Sequence, residues 1–184
     1  RFYGKSGVSD GNYIYGAKLN SDMRTMDDST ITCLISPEEA WETNKAKVAE
    51  GPFMLKKDGV YYLTYSGSHF ESNYYGSGYA TATSPLGNYT KYENNPIIPH
   101  PPEGYDESNF RDPKVWKHGD YFYLVCGSKK NNLASALLYR SKDLKNWEFF
   151  NVLAESRGEF GYMWECPDFY EIGDKHVLMF SPMG

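Results

Sequence analysis

The chain has 184 residues, a net charge of −5 and an aromatic content of 17%, carried by 17 Tyr, 10 Phe and 4 Trp residues. This amount of aromatic surface excludes an intrinsically disordered segment, and the acidic balance argues against binding of nucleic acid through bulk charge. No apolar run approaches the ~20 residues of a membrane-spanning helix, so we expect an aromatic-rich globular chain with neither a nucleic-acid nor a membrane partner.

The first predicted elements are two strands and a short helical turn. Residues 12–19 and 30–35 are rich in β-branched and aromatic side chains, and a polar turn at Asn20-Ser21-Asp22 separates them. Residues 37–42 favour a helical turn, with Ser36 as the N-cap and proline in the first position. No other segment has a convincing helical pattern, so the predicted fold class is all-β.

An internal repeat begins after this turn. Residues 50–65, 111–126 and 165–180 each contain an acidic residue, a proline, a short apolar strand, a glycine turn and a second strand. The turn dipeptides, which supply the positive φ of tight hairpins through glycine, are Asp58-Gly59, Gly119-Asp120 and Gly173-Asp174. Each repeat is therefore predicted to be a β-hairpin.

A second recurring half follows the first two hairpins. Residues 78–89 and 135–147 each contain a strand, a polar turn, an aromatic residue and the start of an outer strand, and residues 12–35 form a third copy. The chain therefore has half a unit, two units and another half unit, each full unit being a four-stranded meander of roughly 55–60 residues. This layout is typical of β-propeller blades, so we predict a partial ring of about three blades.

The Pro-rich segment 94–104 divides the chain into two parts. Residues 1–95 are expected to hold a half blade and one blade, and residues 96–184 one blade and a half blade. At about 60 residues for each blade, the length accounts for about three blades. Because the two half blades are complementary, we predict a homo-oligomer formed by half-blade exchange, which removes exposed strand edges.

Three acids stand at the start of the predicted innermost strands, namely Glu50, Asp112 and Glu165. We predict that they occupy equivalent repeat positions and therefore face a shared pocket on the propeller axis. Converging carboxylates suit glycoside hydrolysis, in which one acid protonates the leaving oxygen and another attacks the sugar or activates water. The alternative is that they cap hairpins or pair with neighbours such as Arg111, but their repetition favours a functional site.

Other chemistry-bearing residues give weaker signals. Trp164 precedes one of the acids and either stacks on a sugar or fills the core between blades. Neither the four histidines nor the cysteines Cys33, Cys126 and Cys166 have metal-binding spacing. We therefore predict no metal and no cofactor, surface or structural histidines, and buried free thiols. The sequence does not indicate a cellular compartment.

The second half of the chain resembles glycoside hydrolase family 32, the invertases and sucrose-6-phosphate hydrolases. The resemblance rests on Phe110-Arg111-Asp112-Pro113 and Met163-Trp164-Glu165-Cys166-Pro167-Asp168 and covers about residues 95–184. It implies that Asp112 stabilises the transition state by gripping fructosyl hydroxyls and that Glu165 is the general acid/base. We take Arg111 and Trp164, which lie in the same motifs, as candidate substrate-binding residues.

The first half resembles glycoside hydrolase family 43, the β-xylosidases and α-arabinofuranosidases. The resemblance rests on Glu50-Gly51-Pro52, Gly78-Tyr79-Ala80-Thr81-Ala82 and Ser84-Pro85-Leu86-Gly87, and it implies that Glu50 is a general acid. Both families are five-bladed propellers. We interpret the chain as a chimera, engineered from two such propellers with a junction near Asn95-Pro96-Ile97-Ile98; a natural hybrid is the alternative.

Both families also use an Asp from their first blade, as nucleophile in family 32 and as general base in family 43. Neither Ser9-Asp10-Gly11 nor Asp27-Asp28 matches either motif, and both have loop-like sequence contexts. Three functions follow. The chain is a glycosidase for terminal fructosyl, arabinosyl or xylosyl bonds if a catalytic Asp is supplied, a non-catalytic propeller scaffold, or a sugar-binding module. In the first and third cases, the partner is a small saccharide.

Overall fold

A computed structural model describes residues 11–184. None of the helical segments in that range is long and apolar enough to cross a membrane. One 3-10 helical turn spans Ala40–Glu42. The described strands are β1 (Gly11–Asn12), β2 (Ile14–Leu19), β3 (Met26–Ile35), β4 (Lys47–Lys57), β5 (Val60–Gly67), β6 (Gly76–Ala82), β7 (Thr90–Lys91), β8 (Arg111–His118), β9 (Tyr121–Lys130), β10 (Leu133–Ser141), β11 (Glu148–Glu155), β12 (Met163–Ile172) and β13 (Lys175–Met183).

These strands form two complete blades flanked by two hairpins. Strands β4 to β7 form blade A, to which β1 adds in parallel beside β4, and strands β8 to β11 form blade B in the order β11-β10-β9-β8. The N-terminal hairpin pairs β2 with β3, and the C-terminal hairpin pairs β12 with β13. The predicted sequence of half a unit, two units and another half unit is confirmed.

The hairpin turns are where the sequence placed them. Asp58 and Gly59 both have positive φ, 49° and 81°, as in a type I′ turn, whose twist matches that of the flanking strands. In the other two inner hairpins, Gly119 and Gly173 supply the positive φ at the first turn position. Local turn chemistry therefore sets the register of all three inner hairpins.

Each inner strand carries a β-bulge at its proline. The pairing steps from Glu50↔Ser66 to Phe53↔Thr64 in blade A, and the same step occurs at Asp112-Pro113 and at Cys166-Pro167. In each case two residues lie opposite one, which is the definition of a bulge. The residue before each proline has a positive φ, 58° for Gly51, 62° for Asp112 and 48° for Cys166.

The register at the bulges shows that the three acids are not in equivalent positions. Relative to the proline, Glu50 and Glu165 are equivalent to Arg111, whereas Asp112 is equivalent to Gly51 and Cys166. Because successive side chains of a strand point to opposite faces, a shift of one residue changes where a side chain points. The prediction that the three acids occupy equivalent positions is therefore wrong by one residue for Asp112.

The hydrophobic cores lie between neighbouring blades. On β9, Leu124 and Cys126 are buried in a cluster against which Phe53 and Leu55 of blade A pack. Val125, between them in sequence, is buried in another cluster with Trp164 of the C-terminal hairpin. This period of two is typical of a strand buried on both faces. The high aromatic content is therefore explained in part by packing between blades.

Two smaller predictions need correction. The 3-10 turn has Glu39 and not Ser36 as its N-cap, because the backbone is still extended at Glu39, with φ −78° and ψ 153°. All three cysteines are free, but only Cys126 is buried, whereas Cys33 and Cys166 are exposed. The prediction of buried thiols is therefore correct for Cys126 alone.

Candidate active site

The candidate site lies where the bulges of three neighbouring inner strands meet. Asp112, on the bulge of β8, is held from both sides. Its backbone N–H donates to Ser66 Oγ of blade A at 2.9 Å, and its Oδ2 accepts the backbone N–H of Cys166 of the C-terminal hairpin at 2.8 Å. The carboxylate of Asp112 is therefore fixed by backbone geometry on β12.

Gly51 completes the enclosure of this carboxylate. A Cβ atom placed on Gly51 would lie 2.5 Å from Asp112 Oδ1, so the backbone of blade A approaches the second oxygen closely. Burial raises the pKa of Asp112, and the charges of Glu50 and Glu165 raise it further, against the lowering effect of the Cys166 amide and of Arg111. The opposing contributions show that the three acids share one electrostatic environment.

Glu165 is paired with Arg111 across the boundary between blade B and the C-terminal hairpin. Its Oε1 lies 3.1 Å from Arg111 Nε and 3.0 Å from Nη2. The guanidinium side chain is 5% exposed, whereas the glutamate side chain is 37% exposed. The buried Arg111 therefore orients Glu165, while part of the Glu165 side chain stays exposed and open to a ligand.

Glu50 has a different partner, the phenol of Tyr75. The Tyr75 hydroxyl donates to Glu50 Oε1, and the Tyr75 side chain is almost fully buried. Burial raises the pKa of Tyr75 well above its usual value, as does the neighbouring Glu50 charge. The Arg111 guanidinium carbon lies 5.9 Å from the centre of the Tyr75 ring, so Tyr75 connects the surroundings of the two glutamates.

Sequence reasoning did not identify Tyr75 or Ser66 as site residues. Tyr75 lies between β5 and β6, in a polar stretch whose composition resembles a linker. Ser66 lies inside β5, where a small polar residue carries no functional signal. Only the approach of blade A to the bulge of β8 gives these residues a role, and a single sequence does not show that approach.

Trp164, a candidate substrate contact, lies in the core between blade B and the C-terminal hairpin. It is 4% exposed, and its ring stacks on Phe180 with 4.1 Å between ring centres and 15° between planes. Its indole N–H donates to the Phe160 carbonyl at 2.9 Å. These contacts favour the packing alternative over stacking on a sugar.

The candidates for a first-blade acid are only partly described. Asp10 lies outside the described residues. Asp27 and Asp28 lie on β3 and not in a loop, and one oxygen of Asp27 accepts both the backbone N–H and the hydroxyl of Ser29. Within residues 11–184, no group of three or more His, Cys, Asp or Glu side chains is arranged to hold a metal ion.

The arrangement provides three carboxylates with distinct surroundings. Glu165 is held by a guanidinium, Glu50 by a phenol, and Asp112 by a backbone amide in a half-buried bulge. Carboxylates differentiated in this way can divide proton donation and charge stabilisation between them. The geometry therefore suits cleavage of a bond that needs both an acid and a nearby negative charge.

The enclosure of Asp112 by Gly51 can be tested by substitution. We expect Gly51→Ala to destabilise the fold by about 1–2 kcal/mol from its positive φ and by at least about 1 kcal/mol more from contact with Asp112. Gly59→Ala is the matched control, since Gly59 also has a positive φ but nothing lies within 4 Å of an added Cβ. Urea unfolding measures both variants. Equal losses would show that the Gly51–Asp112 contact does not constrain the bulge.

Comparison with known proteins bears on the same residues. The family model described as the glycosyl hydrolases family 32 N-terminal domain matches residues 10–184. Sucrose-6-phosphate hydrolase of Escherichia coli is 48% identical over 94 residues, which are 50% of this chain and 19% of that protein.

Solved structures show the same likeness. The Bombyx mori GH32 β-fructofuranosidase is 40% identical, with a TM-score of 0.64 over 72% of this chain and 29% of that one. An endo-1,4-β-xylanase from Bacteroides thetaiotaomicron is 29% identical, with a TM-score of 0.66 over 78% of this chain and 51% of that one. The chain thus spans only part of the length of each of these proteins.

Proposed function

Because the chain belongs to glycosyl hydrolase family 32, we propose that its acid cluster serves the hydrolysis of a terminal O-glycosidic bond in a small saccharide. The sugar transferred to water is a fructosyl, arabinosyl or xylosyl unit. The observation that carries the proposal is the position of Asp112 in its bulge, where the Cys166 amide fixes the carboxylate. The charges of both glutamates raise the pKa of this carboxyl.

The proposed roles follow from the surroundings of each carboxylate. Glu165, the more open of the Arg111–Glu165 pair, acts as general acid/base and protonates the oxygen of the leaving group. Asp112 holds the sugar hydroxyls and stabilises positive charge that develops on the ring carbon. Glu50 is the second proton donor, held by Tyr75. Arg111 serves the substrate site by orienting Glu165, and Trp164 supports the site from the core.

This scheme requires one further carboxylate to act as nucleophile or base. We propose that an Asp other than Asp27 supplies it, since one carboxylate oxygen of Asp27 already accepts hydrogen bonds from the N–H and hydroxyl of Ser29, two residues further on. The alternative function is a non-catalytic propeller scaffold. It is favoured because none of the three acids in the cluster is assigned as nucleophile or base. A scaffold keeps the three acids but shows no turnover.

Hydrolysis assays separate these functions. We expect turnover of sucrose, an aryl arabinofuranoside or an aryl xyloside, with loss of about 10²-fold or more in Glu165→Gln or Glu50→Gln, since general acid catalysis contributes at least that much. Glu103→Gln, at an exposed position outside the cluster, is the control. No turnover of any of the three substrates supports the scaffold, and turnover unaffected by both glutamine variants contradicts the assigned roles.

The assembly by half-blade exchange is also a proposal. In the described part of the chain, the N-terminal and C-terminal hairpins are each sheets of two strands, and unpaired strand edges favour pairing with another chain. We expect light scattering to give twice the monomer mass or a higher multiple. A folded monomer with a cooperative thermal transition would contradict the exchange.

The origin of the two halves belongs to the same set of proposals. We propose that residues 1–95 and 96–184 come from two related propellers, joined by engineering, with a natural hybrid as the alternative. The proposal rests on the two sets of motifs, Glu50-Gly51-Pro52 in the first half and Met163-Trp164-Glu165 in the second. The proposal predicts that residues 11–95, compared separately, are more similar to family-43 sequences than to family-32 sequences.

A further inference from the structure

A second cleft lies between blade B and the C-terminal hairpin, away from the acid cluster. It has a volume of about 450 Å³, within the ~300–1,000 Å³ typical of small-molecule sites. Its lining reaches His118 at the end of β8, whereas Arg111 of the acid cluster begins that strand. Seven residues of extended strand separate them by roughly 23 Å at ~3.3 Å per residue. A monosaccharide in one site therefore cannot reach the other.

The walls of this cleft are aromatic. The ring centre of Trp116 lies 5.8 Å from that of Tyr123, with 22° between the planes, and 5.3 Å from that of Phe169. Leu138, buried in blade B, contributes a further apolar surface. The parts of these rings that line the cleft provide apolar surface for the C–H groups of a sugar ring.

A polar group of three residues completes the lining. Glu171 Oε1 lies 3.0 Å from His176 Nε2 and 3.8 Å from His118 Nδ1, and all three side chains are more than half exposed. The carboxylate accepts hydrogen bonds, and each imidazole can donate or accept one. The catalytic scheme uses none of these groups.

We propose that this aromatic cleft binds a small saccharide at a second site, distinct from the acid cluster. The lining contains one carboxylate, that of Glu171, and one lysine, Lys117, so its residues have no excess of one charge to select an ionic ligand. A neutral ligand with hydroxyl groups at its edges and an apolar face matches the donors, acceptors and rings together. The proposal goes beyond hydrolysis and does not require turnover.

Titration of the folded chain with sucrose, followed by backbone amide NMR, tests the second site. We expect saturable shifts at Phe169, Glu171 and His176. Glu171→Gln should weaken binding by about tenfold, because it removes charge-assisted hydrogen bonds to hydroxyls. His176→Ala is the second variant, since its side chain is more than half exposed, and His100→Ala outside the cleft is the matched control.

Asp112→Asn separates the aromatic cleft from the acid cluster. Binding that persists in Asp112→Asn and weakens in Glu171→Gln and His176→Ala supports the second site. Binding lost in Asp112→Asn but unchanged in Glu171→Gln overturns it and leaves the proposed function intact. Absence of saturable shifts also overturns it, and the hydrolysis assays judge the catalytic proposal independently of that result.

Discussion

Asparagine in place of Asp112 is expected to lower kcat/KM for the proposed hydrolysis by about 10²–10³-fold, the usual cost of removing one group that stabilises transition-state charge. The side-chain oxygen of Asn can still accept the Cys166 N–H, now 2.8 Å from Oδ2 of the acid. The bulge therefore keeps its geometry while the negative charge is lost. Steady-state kinetics on the substrate that shows turnover measures the effect.

The same substitution, which lowers the expected activity, should raise the free energy of unfolding. Burial raises the pKa of Asp112 in the folded chain, so the folded state binds the proton more tightly than the unfolded state. Stability is then lost as pH rises from the unfolded pKa to the folded pKa, and stays lower above it. Because Asn does not titrate, we expect Asp112→Asn to be more stable than the parent at neutral pH.

Asp106→Asn is the matched control, because it should change the free energy of unfolding in the opposite direction to Asp112→Asn. Burial by itself would raise the pKa of Asp106, but hydrogen bonds from Ser108 and Asn109 and the charge of Lys129 lower it to about 2. Its contribution to stability is present at neutral pH and lost as pH falls, so Asp106→Asn should be destabilising at pH 7. Denaturation from pH 3 to 8 compares the two. If both variants destabilise at pH 7, the Asp112 carboxylate is stabilised by its bulge and the argument above is wrong.

The sequence identified most of the blade architecture because its signals are local. Turns such as Asp58-Gly59 require a positive φ that glycine supplies, and they mark hairpins without knowledge of the tertiary structure. The alternation of half and whole units followed from the spacing of these turns. The sheets of the structure match that layout except for β1, which adds in parallel beside β4 and which no turn signal predicts.

The residues that surround the acids could not be predicted in this way. The displacement of Asp112 by one position depends on the bulge register, and Tyr75 reaches Glu50 from a loop 25 residues further along the chain. Both depend on how blade A packs against blade B. A sequence pattern records which residues are acidic, whereas their partners are decided by that packing.

The bulge register also explains why the cluster tolerates two glutamates. The three positions before the bulges carry Glu50, Arg111 and Glu165, so a positive charge stands between two negative ones. Arg111 pairs directly with Glu165 and lies over the ring of Tyr75, the partner of Glu50. Opposite charges in alternation reduce the repulsion that three converging acids would create.

The largest loss of stability is expected from a residue outside the site, Glu42. Its side chain is fully buried at the end of the 3-10 turn. Its Oε2 accepts a hydrogen bond from the Lys91 ammonium at 2.5 Å. The same oxygen accepts the backbone N–H groups of Glu38 and Glu39 at 2.8 and 2.9 Å. Its Oε1 accepts a hydrogen bond from the Tyr65 hydroxyl at 2.6 Å. Glu42 therefore ties the turn to both β5 and β7 of blade A.

Removing this carboxylate should cost about 3–5 kcal/mol, because Glu42→Ala leaves the ammonium of Lys91 and the hydroxyl of Tyr65 without their buried partner. Glu38→Ala is the control, since the Glu38 side chain is exposed and only its backbone N–H contacts Glu42. The double variant Glu42→Ala, Lys91→Met removes both charges and should recover part of the loss, as expected when the penalty comes from an unpaired ion. Urea unfolding of the three variants distinguishes the causes. A loss below about 1 kcal/mol for Glu42→Ala would mean that water replaces the carboxylate, and an unrecovered loss in the double variant would attribute the cost to the turn itself.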